Sequence, residues 1–172
     1  SLVGSEMCIR DRATAFSYIG ELCRYLLAQP EKPTDRAHSV RLIVGNGLRP
    51  EIWDEFVDRF RIDRVVEFYG ASELNLAFVN VFGVKRTVGF CPLPFKLVEY
   101  DADGQPKRDA KGRLVAVPKG EPGLLIAEIS ERVPVDGYTD SRETEKKIVR
   151  DAFKKGDTWF NTGDLMRNLG WG

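Results

Sequence analysis

The segment from residue 40 to residue 68 limits the possible folds most. Val40-Arg41-Leu42-Ile43-Val44 is a short, β-rich apolar run, and Gly45-Asn46-Gly47 then turns the chain. Pro50 fits the first turn of a helix that runs to about Phe60, with Ile52, Trp53, Phe56, Val57 and Phe60 on one face. A second apolar run, Arg64 to Phe68, follows after a short link. Strand, helix and strand joined this closely form a βαβ unit, so the two strands are expected to be parallel. Gly45-Asn46-Gly47 and Tyr69 to Glu73 then both lie just past the carboxyl ends of parallel strands. Open α/β sheets bind ligands at that edge.

On the amino-terminal side, residues 14–28 predict an amphipathic helix. Ala15, Phe16, Ile19, Leu22, Cys23, Leu26 and Leu27 recur at three- and four-residue spacings, with Thr14 as N-cap and Pro30 and Pro33 beyond the end. Cys23 lies on that apolar stripe, which marks it as a core thiol. Past residue 75 the texture changes to Pro, Gly and short alternating runs. Phe95–Tyr100 and Leu124–Ile129 predict strands, and Asp103-Gly104 and Gly120-Glu121-Pro122-Gly123 predict turns. Residues 86–137 are therefore expected to form a mostly antiparallel β unit. A charged helix is predicted from Ser141 to about Phe153. Gly156-Asp157 should then turn into Trp159-Phe160 and a Thr162-Gly163-Asp164 loop.

The expected organisation is a leader at 1–12, an α/β portion at 13–85 and a β-rich portion at 86–172. Residues 1–12 lack the charged, apolar and small-residue order of a signal peptide and look like adapter-derived sequence foreign to the domain. No internal repeat or low-complexity segment is present.

Composition removes several function classes. The 172 residues carry 26 Lys+Arg against 26 Asp+Glu, so no net field would draw the chain to nucleic acid or anionic lipid. There is no apolar run of about 18 residues, hence no predicted spanning helix. Cys8, Cys23 and Cys91 are too widely spaced for a metal or redox pair motif, and a reducing compartment is expected. The single histidine, His38, sits in a polar connector.

Two stretches carry the chemistry. In Phe68-Tyr69-Gly70-Ala71-Ser72-Glu73 an aromatic face can cover a planar base, and a glycine lets the backbone come close to a ligand. The hydroxyl and N–H groups can hold a phosphate oxygen, and the carboxylate can hold a hard cation such as Mg²⁺. The second stretch is Phe160-Asn161-Thr162-Gly163-Asp164. With both present the chain resembles the adenylate-forming (AMP-binding) acyl-CoA synthetase superfamily, and within it the branch of fatty acid transport proteins and very-long-chain acyl-CoA synthetases. The matching stretches are Tyr18 to Leu27, Val44-Gly45-Asn46-Gly47-Leu48-Arg49-Pro50, Glu67 to Asn75, and Thr158 to Leu165.

The resemblance implies two half-reactions. A carboxylate attacks the α-phosphorus of ATP to give an acyl-adenylate and pyrophosphate, and coenzyme A sulfur then displaces AMP. It places Gly45, Asn46 and Gly47 along the adenine and Tyr69 stacked on it, with Gly70 and Ala71 in the same nucleotide loop. Ser72 stands where the family usually has Thr, its hydroxyl toward the α-phosphate. Glu73 is implied as the Mg²⁺-associated acid, making Ser72 and Glu73 the catalytic pair. Asp164 is implied to accept hydrogen bonds from both ribose hydroxyls. Where the family usually has Gly after that Glu, this chain has Leu74.

The family's Gly-rich Ser/Thr-Lys phosphate loop does not occur in the sequence. The resemblance therefore implies an internal piece of a longer fatty acid–CoA ligase, inactive alone, whose parent uses fatty acid, ATP and coenzyme A. The expected location is cytoplasmic, or peripheral at the inner face of a membrane. Bile acid or carnitine-type acids on the same fold are the alternative substrates. A non-catalytic fatty acid uptake protein is the alternative from another class. A nicotinamide dehydrogenase is disfavoured, because Gly45-Asn46-Gly47-Leu48-Arg49-Pro50 lacks the third glycine of that fingerprint.

Overall fold

A computed structural model describes residues 12–71, 76–130 and 141–170. The chain divides into two compact units, Ser1–Tyr69 with Ala77–Cys91 and Gly70–Leu76 with Pro92–Gly172.

The first unit is built on a sheet of β1 (Ala15–Ile19), β2 (Leu42–Asn46), β3 (Arg64–Ala71) and β4 (Leu76–Val79), in that spatial order. The β1/β2 and β2/β3 pairs are parallel. Helix α1 (Leu22–Leu27) follows β1, and α2 (Trp53–Phe60) crosses from β2 to β3, so the βαβ expectation holds. Tyr18, Cys23, Ile43, Leu48, Trp53, Phe56, Ile62 and Val65 form the core beneath these strands. Arg59 pins the connector between α1 and β2. Its guanidinium donates to Asp35 at 2.8 Å and to the carbonyls of Leu27 and Pro30 at 2.9 and 3.2 Å.

The continuous helix expected over 14–28 is not there. Its first third is β1, and only Leu22–Leu27 is helical. Phe16 and Tyr18 also satisfy a period of two. Pairing along β2 captures them as a strand, with Tyr18 turned inward and Ala15, Ser17 and Ile19 outward. Gly20, at φ +58°, breaks the strand before the helix starts.

The second unit is an antiparallel sheet of β5 (Phe95–Val98), β6 (Pro122–Glu128), β8 (Thr158–Arg167) and β7 (Ile148–Arg150), ordered β5-β6-β8-β7. Its core is Val98, Leu114, Leu124, Ile126, Ala152 and Trp159. The β-rich expectation is met, with two corrections. The charged helix α3 covers only Ser141–Lys147, because Ile148 and Val149 pair with Phe160 and Trp159 instead of continuing it. Thr162-Gly163-Asp164 is no free loop but lies within β8.

Candidate functional site

The parallel strands of the first unit bring part of the predicted nucleotide loops to one rim. Gly45 and Asn46 do not turn the chain as expected. They are the last residues of β2, and Gly45 pairs with Tyr18 on one side and Glu67 on the other. The turn begins at Gly47, whose φ of +101° suits glycine. A β-carbon there would also come within 2.5 Å of the Gly20 carbonyl oxygen. Asn46 is half-buried, and its carbonyl accepts the Gly20 N–H at 2.8 Å.

Tyr69 lies two residues past Glu67 on β3 and is half-buried. Its ring meets the edge of Phe78, a buried residue of β4, with centroids 6.0 Å apart. Gly70 and Ala71 complete β3. Ser72 and Glu73, the proposed phosphate and Mg²⁺ residues, lie outside the described residues, as does the predicted leader up to residue 11. Among the described residues no group of three or more His, Cys, Asp or Glu is arranged to hold a metal ion.

Two site-building residues were missed in the sequence, Glu67 and Tyr18. Glu67 is 4% exposed. Its Oε1 accepts the N–H of Gly47 at 2.6 Å and that of Leu48 at 3.2 Å, and its Oε2 accepts the hydroxyl of Tyr18. Burial pushes the carboxyl up from its ordinary value, against the pull of Tyr18 and the two N–H groups. Burial and Glu67 together raise the Tyr18 phenol. The same two causes push the Cys23 thiol up to about 12, so it is an inert core thiol. The signal available in the sequence was an acid inside the apolar run Val65-Val66-Glu67-Phe68. A charge there must be solvated by partners, and a glycine-rich turn supplies N–H donors.

Asp164 belongs to the second unit, where a bulge sets its position. Leu124 pairs with Leu165 and Ile126 with Asn161, so Leu125 of β6 faces three β8 residues, Thr162, Gly163 and Asp164. The Thr162 hydroxyl donates to the Leu125 carbonyl at 2.9 Å and accepts the Asp164 N–H at 3.1 Å. The buried Asn161 side chain accepts the Gly163 N–H at 2.9 Å, with Gly163 at φ +84°. The bulge is fixed from both sides, and Asp164 is exposed on it.

The loop at 151–157 is tied to this strand through Asp157 and Trp159. Asp157, 6% exposed, accepts the N–H groups of Ala152, Phe153 and Lys154 and the indole N–H of Trp159, at 2.6 to 3.1 Å. Burial would raise this carboxyl, but those four donors outweigh it and hold it below the ordinary carboxylate range.

The fold is found in solved adenylate-forming ligases. A benzoate CoA ligase from Burkholderia xenovorans LB400 superposes with a TM-score of 0.59 at 23% identity, over 96% of this chain and 31% of that one. ATP-bound MatB from Rhodopseudomonas palustris gives 0.61 at 20% identity, over 94% and 30%. No protein-family model matches the chain. Among curated relatives, the medium/long-chain-fatty-acid–CoA ligase FadD6 of Mycobacterium tuberculosis is 63% identical over 165 residues, 95% of this chain and 28% of that protein. Human long-chain fatty acid transport protein 3 is 46% identical over 169 residues, 94% of this chain and 25% of that protein.

The fold class is thus that of the adenylate-forming enzymes. By sequence the chain is a homologue of the fatty acid–CoA ligases and long-chain fatty acid transport proteins, and it spans about a quarter of the length of the relatives it matches.

Proposed function

We propose that the chain is the nucleotide-holding part of a long- or very-long-chain fatty acid–CoA ligase. The 63% identity to a fatty acid–CoA ligase over 95% of the chain carries this reading. The rim supports it, because Gly47 directly follows β2 and Tyr69 lies near the end of β3, its parallel neighbour in the same unit.

In this reading Gly45, Asn46 and Gly47 run along the adenine of ATP and Tyr69 covers its face. Gly70 and Ala71 carry the backbone past it, and Ser72 meets the α-phosphate. Glu73 would hold Mg²⁺, which neutralises charge on the phosphates. Asp164 accepts both ribose hydroxyls, a geometric match between two carboxylate oxygens and a cis-diol. Coenzyme A enters as the second substrate. These residues position the nucleotide so that the fatty acid carboxylate can attack phosphorus in line. No helix among the described residues is long and apolar enough to cross a membrane, and the parent is proposed to work in the cytoplasm or peripherally at the inner membrane face.

The test is AMP release by the full-length protein carrying this sequence, with ATP, coenzyme A and a panel of acids. Turnover should be highest with long or very long fatty acids. A preference for bile acids or carnitine-type acids would move the substrate assignment. The presence of long-chain fatty acid transport proteins among the relatives gives weight to a second reading, an uptake protein without ligase activity. Fatty acid binding without AMP release would favour that reading.

A further inference from the structure

The parallel register sets Tyr18, Gly45 and Glu67 side by side on β1, β2 and β3. Residues aligned this way in a parallel sheet point to the same face. Gly45 has no side chain, so the Tyr18 ring lies across it. A β-carbon at 45 would stand 2.8 Å from Tyr18 Cδ1 and 2.0 Å from the Tyr18 carbonyl oxygen. The phenol thereby reaches Glu67 over the intervening strand. With one carboxylate oxygen engaged by Tyr18, the other faces the Gly47 and Leu48 N–H groups. Tyr18, which donates to this carboxylate, and Cys23, which feels its charge, are both buried, as is Leu48, whose backbone N–H it accepts.

From this geometry we infer that Tyr18 and Glu67 are a positioning pair, which ties the Gly47 turn to β3 and so fixes the gap between that turn and Tyr69 in which the adenine is held. The inference rests on the ligase reading and adds to it two residues that touch no substrate. Their action passes through backbone. Glu67 sits two residues before Tyr69 on the same strand, and its carboxylate grips the first residue of the turn. Without the grip, two N–H groups lose their acceptor, and Leu48 is buried. The turn would then relax, and nucleotide binding would suffer more than chemistry does.

The experiment uses the full-length protein and ATP–pyrophosphate exchange at saturating fatty acid. Glu67→Ala should raise the KM for ATP about tenfold or more while kcat changes less than about threefold, the pattern of lost ground-state binding. The KM for fatty acid, read in the same exchange assay with fatty acid varied at saturating ATP, should stay unchanged. Glu67→Gln should bring the KM for ATP back to within about threefold, because its amide oxygen can accept both N–H groups and its NH₂ can donate to Tyr18. Tyr18→Phe should lie between the two.

A purely structural role predicts something else, a fall in kcat or in yield with both KM values moving together. That pattern would overturn the inference, as would an unchanged KM for ATP in Glu67→Ala. If Glu67→Ala does not fold, Tyr18→Phe decides: a wild-type KM for ATP overturns the pairing. Amide hydrogen exchange reads the clamp independently of activity. Gly47 and Leu48 should be protected in the wild type and in Glu67→Gln. Fast exchange at both in the wild type overturns the inference whatever the activity. Wild-type protein with protected amides but no exchange activity on any carboxylate would instead overturn the ligase reading.

Discussion

Tyr18 donates its hydroxyl to Glu67 across Gly45, a strand-to-strand-to-strand contact on one face of the parallel sheet. Gly45 is therefore constrained by its own fold before any ligand is considered. Gly45→Ala would drive a methyl group into the Tyr18 backbone, which cannot move without opening the β1/β2 pair. We expect a loss of about 3 kcal/mol in unfolding free energy, the upper end of overpacking costs. Chemical denaturation of the two proteins measures it. A loss under about 1 kcal/mol would mean that the sheet accommodates the methyl group easily.

Glu67 should also leave a mark on the pH dependence of stability. Burial raises its carboxyl in the folded state, so the fold favours the acid form. The corresponding stability is complete below the unfolded-state value and is lost as pH rises through the folded-state value. Glu67→Gln removes this titration while keeping acceptors for Gly47 and Leu48. The stability of Glu67→Gln minus that of the wild type should therefore grow with pH above the ordinary glutamate range and then level off. Denaturation curves from about pH 4 to pH 8 run from just below the ordinary glutamate value to well above it. A difference independent of pH would contradict the raised carboxyl.

Asp157 predicts the opposite limb. Four N–H donors hold its carboxyl low despite burial, so its contribution is present above the unfolded-state value and fades as pH falls through the folded-state value. Asp157→Ala should cost about 2–3 kcal/mol at neutral pH, the worth of hydrogen bonds to a charged group when buried donors are left behind. Relative to wild type the deficit should shrink in acid. An equal deficit at neutral and acid pH would assign the loss to packing.

What the sequence made legible follows the range of the forces involved. The βαβ unit was readable because its apolar periodicities and its Gly and Pro punctuation are local. The antiparallel unit was readable from turn residues. The strand Ala15–Ile19 was not, because five residues fit both periods and only β2, more than twenty residues away, decides between them. The end of α3 was likewise set by a distant partner, β8. At the rim, Tyr69 and the glycines were visible as residue types. The Tyr18–Glu67 contact spans 49 positions and arises only from register. The bulge at Thr162–Asp164 looked like a loop because Gly163 signals a positive φ but not whether pairing resumes after it.

The last prediction concerns Asp164 as the ribose acceptor. The bulge exposes this residue, and its shape is held by other side chains, Thr162 accepting the Asp164 N–H and Asn161 the Gly163 N–H, so replacing the Asp164 side chain should leave β8 in place. In the full-length protein Asp164→Ala should weaken use of ATP by about 1.5–3 kcal/mol, the range for hydrogen bonds to a charged group. That is roughly ten- to a hundred-fold in the apparent constant for ATP. With 2′,3′-dideoxy-ATP the effect should nearly vanish, because no hydroxyl remains for the carboxylate to accept. Thr162→Val supplies the contrast. It removes the hydroxyl that bonds Leu125 and Asp164 and loosens the bulge, so its penalty should combine lower stability with weaker use of ATP. If Asp164→Ala costs the same with both nucleotides, Asp164 is not the ribose ligand, and its exposure on the bulge needs another explanation.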